Sequence, residues 1–122
     1  MNKKQISKPV YDLEERTFLF ANDIRIWIKA LPHSTANLED AKQLVRSSGS
    51  IGANYLEANE SLSKKDFLMR VKISRKEAKE SLYWLRLISD TNDFKVDSEI
   101  KRLIQEVTEL KKNLSSIIEK SK

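Results

Sequence analysis

Cysteine is absent from this chain, histidine occurs once, and glycine and proline occur only twice each in 122 residues. Without cysteine there are no disulfides and no thiolate metal sites, which fits a reducing compartment. The one histidine, His33, follows Pro32 in a polar link and is expected to be exposed. Alone it builds no standard metal site and gives the many serines no second base for a Ser-His-Asp arrangement. The Glu-x-x-His pairs of a di-iron bundle are missing as well. Paired carboxylates do occur, Asp66 with Glu57 and Glu77 with Glu80. On amphipathic helices such groups serve mostly as solvated faces or partners for Lys and Arg. The expectation is therefore a protein with no catalytic residues, no cofactor and no metal. No stretch approaches the ~20 apolar residues needed to cross a membrane. The segment "MNKKQISKPVYDLEER" is basic with no apolar core behind it, so it is not a secretory signal, and a cytoplasmic protein is expected. Sheets and loops need turn residues, so the scarcity of glycine and proline favours long helices joined by short links.

The content that is present, 39% hydrophobic and 34% charged, is that of a single globular domain. Four segments carry apolar residues three and four positions apart, the spacing of a helix face. The first runs from Asp12 to Leu31, with Leu13, Thr17, Phe20, Ile24, Trp27 and Leu31 in phase and Pro32 as the stop. The second starts at "NLED", with Asn37 as cap, and carries Ala41, Leu44, Ser48, Ile51, Tyr55, Ala58 and Leu62. The third starts at "SKKD", with Ser63 as cap, and carries Phe67, Val71, Ser74, Ala78, Ser81, Leu85 and Ile88 up to about Asp90. The fourth, capped by Asp97 or Ser98, carries Ile100, Leu103, Val107, Leu110, Leu114 and Ile117. This is an all-α pattern, and it predicts an antiparallel up-down-up-down four-helix bundle. Residues 1–11 read as a flexible N-terminal segment, 12–118 as the bundle and 119–122 as a loose C-terminus.

Gly49 and Gly52, in "SSGSIGANYLEANES", formally match the GxxG clamp of KH domains, but that clamp sits in a loop of an α/β fold. Here the helical phase runs through both glycines, so the stretch reads as helix. Each glycine costs a helix about 1 kcal/mol relative to Ala. Close approach of another backbone at Ser48, Gly52 and Ala53 would offset that cost. The third stripe is also thin in its middle, which predicts that helices two and three cross closely there. The polar line Ser47, Ser50, Asn54, Glu57 and Ser61 reads as a register-fixing network toward Arg75, Lys76 or Glu80, or else as a subunit contact. Outside the stripes, Phe18 and Ile28 on the first helix and Met69, Ile73, Trp84 and Leu87 on the third exceed what one core needs. They are the candidate oligomer interface.

The net charge is +5, and it is local. Of the 23 basic and 18 acidic residues, seven and two fall between Lys64 and Lys79, leaving 16 of each elsewhere. On a helix Lys65, Lys72, Lys76 and Lys79 share one side, while Arg75 and Lys64 lean away. Such a face is either simply solvated or an attractor of phosphates, strengthened if identical subunits repeat it.

The stretches "RTFLFANDIRIWIKALP", "QLVRSSGSIGANYLEANESLSKKDF" and "KISRKEAKESLYWLRLI" resemble the bacterial four-helix-bundle proteins of the 23S rRNA intervening-sequence family, over roughly residues 12–90. The fourth helix is similar in pattern only. The resemblance implies a left-handed, mostly antiparallel bundle assembling into a homopentameric ring, with no enzymatic activity. It also implies kinship with the accessory variability determinant of diversity-generating retroelements, a similar barrel that binds nucleic acid and a reverse transcriptase. By that likeness Arg46, Lys65, Lys72, Arg75, Lys76 and Lys79 become candidates for nucleic-acid contact. The expected function is a non-catalytic scaffold that binds RNA or DNA; the alternative is a protein-interaction adaptor, for example for a reverse transcriptase. The expected partners are further copies of the chain, RNA or DNA, and a reverse transcriptase or other protein, with no membrane.

Overall fold

A computed structural model describes residues 12–93 and 97–122. The expected loose segment 1–11 lies outside the described residues. Four helices are present: α1 (Leu13–Ile28), α2 (Thr35–Asn59), α3 (Lys64–Thr91) and α4 (Ser98–Ser121). No strand occurs among the described residues, and each helix packs on its chain neighbour, with α1 and α4 closing the set more loosely. The C-terminal residues expected to be loose are helical as far as Ser121.

Helix starts follow side-chain chemistry. Ser63 Oγ accepts the Asp66 amide at 3.1 Å, and Asp97 Oδ1 accepts the amides of Glu99 and Ile100 at 2.9 and 3.3 Å. Each bond satisfies an amide that has no partner within the first helical turn. At α2 the cap is Ser34, which accepts the Asn37 amide at 3.1 Å, and not Asn37 as the sequence suggested. Asn37 is buried instead, because its amide has a better use. It exchanges two 2.9 Å hydrogen bonds with the Asn92 side chain and donates another of 2.9 Å to the Pro32 carbonyl. That clasp ties the α1–α2 link to the end of α3. The regular part of α1 stops at Ile28, before the expected Leu31. Its last turn tightens into i→i+3 bonds from Lys29, Ala30 and Leu31, which still leave Leu31 buried.

The core is the predicted set of stripes with few changes. Phe20, Ile24, Leu44, Ile51, Leu85, Ile88, Leu103, Leu110 and Leu114 are fully buried, each contributing roughly 1.5–3 kcal/mol. Ile118 takes the buried place assigned to Ile117, which only packs against the core from its edge. Leu62 continues the second stripe in phase but is 100% exposed, because α2 ends at Asn59 and leaves it in the link.

The thin waist of α2 serves two neighbours. Toward α3, Ser74 Oγ donates to the Ile51 carbonyl at 2.7 Å, and the hydroxyls of Ser47 and Ser81 meet at 2.8 Å. A side chain as short as serine reaches a neighbouring helix's backbone only where the two helices nearly touch. The glycines face α1, contrary to the expectation that they thin the α2–α3 crossing. A Cβ on Gly52 would lie 2.9 Å from Thr17 Oγ1 and 3.2 Å from Thr17 Cβ. Thr17 is buried and fixed by its own bond to the Leu13 carbonyl at 2.7 Å, so it cannot give way cheaply. At Gly49 the nearest atom is the flexible end of Arg25, 3.0 Å away.

The α1–α4 side is closed by ions. Arg16, nearly buried, holds both oxygens of Glu106 at 3.1 and 2.9 Å and touches Glu109 at 3.3 Å. Arg102 bridges Asp23 at 2.9 Å and Glu99 at 2.9 and 2.6 Å. Hydrogen bonding from Arg102 holds the Glu99 carboxyl below its usual range.

Gly52→Leu is expected to cost about 1–3 kcal/mol in urea unfolding by overpacking Thr17. Gly49→Ala is expected to be neutral or to gain up to about 1 kcal/mol of helix propensity. A Gly52→Leu change within a few tenths would show the contact to be open. Because the Glu99 pKa is depressed in the folded state, its contribution is present above pH 4.5 and is lost as pH falls through the folded value. Removing the partner by Arg102→Met should therefore cost about 0.2–1 kcal/mol at neutral pH and progressively less below pH 4.5.

Candidate nucleic-acid interface

Polar positions of α3 that turn away from α2 form one wall of a groove whose other wall is α4. The groove holds about 760 Å³ and is lined by Lys72, Arg75, Lys76 and Lys79 from α3 and by Lys111 and Ser115 from α4, with Glu80 and Tyr83 at its side. Four of the six basic residues singled out in the sequence therefore meet in one place. Arg75 does not lean away as expected: it is half-buried and donates to Ser115 Oγ at 3.4 Å, fixing its guanidinium between the two helices. Lys65 is exposed near the start of α3 but is not among the lining residues.

Arg46 has a different role. Its guanidinium donates to Glu77 at 3.2 Å and pairs closely with Glu80. Hydrogen bonding to Glu77, followed by the charge of both carboxylates, raises its pKa above the usual guanidinium value. Glu77 is the reason for this arrangement, since its side chain is only 8% exposed and a buried carboxylate needs a cation. Lys76 also approaches it, at 3.8 Å. Arg46 thus offsets one of the two carboxylate charges beside the groove and Lys76 part of the other, so positive charge remains in excess along the lining. The polar line of α2 does link to α3, but through other partners than expected: Ser47 meets Ser81 and Asn54 accepts from Arg70 at 3.0 Å, while Glu57 is exposed.

Lys111 was missed by the sequence reading. It lies outside the Lys64–Lys79 segment, and only the packing of α4 on α3 brings it there. Tyr83 was missed too. It is 54% exposed and stands edge-on to Trp84, with ring centroids 5.0 Å apart and planes at 78°.

The candidate interface residues divide. Phe18 and Met69 are 63% and 49% exposed, and Ile73 and Leu87 are half-buried. Ile28 and Trp84 pack against the chain's own core, which takes up part of their apolar area. Phe18 also borders a mostly apolar groove of about 330 Å³ between α1 and α2, floored by Gly49, Gly52 and Ala53 and walled by Leu56. His33 is exposed in its link. Among the described residues no group of His, Cys, Asp or Glu is arranged to hold a metal, and no helix is long and apolar enough to cross a membrane.

The family described as 23S rRNA-intervening sequence protein matches residues 11–116. A crystal structure of a protein of unknown function from the S23 ribosomal protein family of Bacteroides thetaiotaomicron is similar at 32% identity and a TM-score of 0.75. The match covers 86% of this chain and 96% of that one. No curated protein matches.

The two kinds of cation should separate in stability measurements. Arg46→Ala is expected to cost about 1–3 kcal/mol, because it strips a buried carboxylate of its main partner. Lys72→Ala and Lys79→Ala are expected to stay within about 0.5 kcal/mol of the parent. Equal effects in thermal unfolding would contradict the division.

Proposed function

The chain belongs to the 23S rRNA-intervening sequence protein family, and from that premise we propose that it is a non-catalytic, self-assembling helical scaffold that binds RNA or DNA through the α3/α4 groove. The observation that carries this reading is the convergence of Lys72, Arg75, Lys76, Lys79 and Lys111 on one concave surface with a single carboxylate, Glu80, that Arg46 already occupies. Five cations in a groove attract a polyanion more strongly than the same charges dispersed over a convex face. Lys65, further along the same helix, extends the track.

The bundle is read as antiparallel, up-down-up-down. Supporting this, α1 residues Arg16, Asp23 and Trp27 meet Glu106 and Arg102 of α4 and its cap Asp97 in that order. On the family likeness the assembly is a homopentameric ring, and exposed Phe18 and Met69 supply apolar area for it. Repetition of the groove around such a ring would raise avidity for a long polyanion well beyond that of one copy. A second reading, a protein-interaction adaptor such as a reverse-transcriptase partner, is supported by the apolar α1/α2 groove beside Phe18 and Leu56.

The test joins light scattering with titration of structured RNA, single-stranded RNA and duplex DNA at several salt concentrations. The reading predicts a mass near five times the 14.2 kDa chain and a steep loss of affinity with salt. Changing Lys65, Lys72, Lys76 and Lys79 together to Gln should flatten that slope by several units. A monomer at micromolar concentration would refute the assembly. An absence of binding near physiological salt, with a protein partner retained in pull-downs, would favour the adaptor.

A further inference from the structure

Tyr83 is not explained by phosphate attraction. It is a large, half-exposed aromatic at the end of a lysine line, and it borders two hollows at once. One is the basic groove with Lys72, Lys76 and Lys79. The other, about 430 Å³, is lined by Tyr83, Arg86, Leu87, Ser89, Asp90 and Ile104. Lys72, Lys76, Lys79 and Tyr83 follow one another at helical spacing along α3, a track of about 16 Å at 1.5 Å per residue. The Tyr83 ring meets Trp84 edge-on, and with only two side-chain torsions a tyrosine loses little freedom on binding compared with a lysine or arginine.

We propose, resting on the nucleic-acid reading above, that the ligand of this groove is single-stranded, with its phosphates along Lys72, Lys76, Lys79 and Lys111 and an unpaired base stacked on Tyr83. A cationic groove with an aromatic platform at its end is the arrangement by which proteins hold single strands without reading their sequence. A duplex presents the same phosphates but keeps its base faces stacked inside, so Tyr83 gains nothing from it. Lysines on both walls, Lys111 facing the α3 row, flank a narrow backbone on two sides. The second hollow, with Leu87 and Ile104 as apolar lining and Arg86 beside the Asp90 carboxylate, is the space that the unstacked base or its neighbour would enter.

The experiment measures the affinity of a short single-stranded oligonucleotide and of the duplex of the same sequence at one fixed salt concentration. The proteins are the full chain, Tyr83→Leu and Tyr83→Phe, each checked for unchanged thermal unfolding. The inference predicts tighter binding of the single strand. It predicts a loss of roughly 5- to 100-fold for Tyr83→Leu on the single strand alone, the size of one base–aromatic stack. Tyr83→Phe should retain affinity, since the ring and not the hydroxyl is used. Equal affinity for the duplex, or a Tyr83→Leu effect that is absent or the same on both ligands, would overturn the stacking role while leaving a phosphate-binding groove in place. Failure of both ligands to bind the parent chain would overturn the nucleic-acid reading itself.

Discussion

The 2.7 Å bond from the Ser74 hydroxyl to the Ile51 carbonyl marks the constraint on which the rest of the bundle depends. A serine reaches another helix's backbone only if nothing larger stands between the two, so Ser47, Ser74, Ala78 and Ser81 must stay small and buried together. The crossing also fixes the rotation of α3. With its small face turned into α2 and its Val71, Leu85 and Ile88 in the core, the lysines have no direction left except outward, toward the edge of α4. A packing requirement at one face thereby decides the electrostatics of the opposite one.

The same helix α2 is thin on its other side, where Gly52 leaves no room for a Cβ against Thr17. Two close approaches on neighbouring sides of one helix make α2 the element around which α1 and α3 are placed. The fourth contact, between α1 and α4, has no such intimacy. It relies on Arg16 with Glu106 and Arg102 with Asp23, charge-assisted bonds that span a wider gap and fix register at a net energy well below that of the core.

Much of this was legible in the sequence, and the parts that were not share a cause. Periodicity identifies the face of a helix that turns inward, so Phe20, Ile51, Ala78 and Leu110 were placed correctly. Ser63 was recognisable as a cap because the amide it bonds is only three residues away. Periodicity does not say which neighbour a face meets, and that is why Gly52 was assigned to the wrong helix. Asn37 looked like a cap because its partner, Asn92, lies 55 residues away and leaves no local trace. Arg46 is a nucleic-acid candidate by the family likeness alone, and no local pattern reveals that Glu77, on another helix, holds it. The lysine row was visible as a charge run. The groove was not, because Lys111 joins it only through the packing of α4, and Tyr83 carried no charge to draw attention.

On the function proposed above, α3 turns its small face inward and a ligand-binding cationic face toward α4. Lysine-reactivity footprinting by mass spectrometry, with and without a saturating oligonucleotide, tests it most directly. Lys72, Lys76, Lys79 and Lys111 should be protected while Lys42 and Lys101, exposed elsewhere on the bundle, react as before. Protection spread evenly over all exposed lysines, or confined to the α1/α2 side, would contradict it.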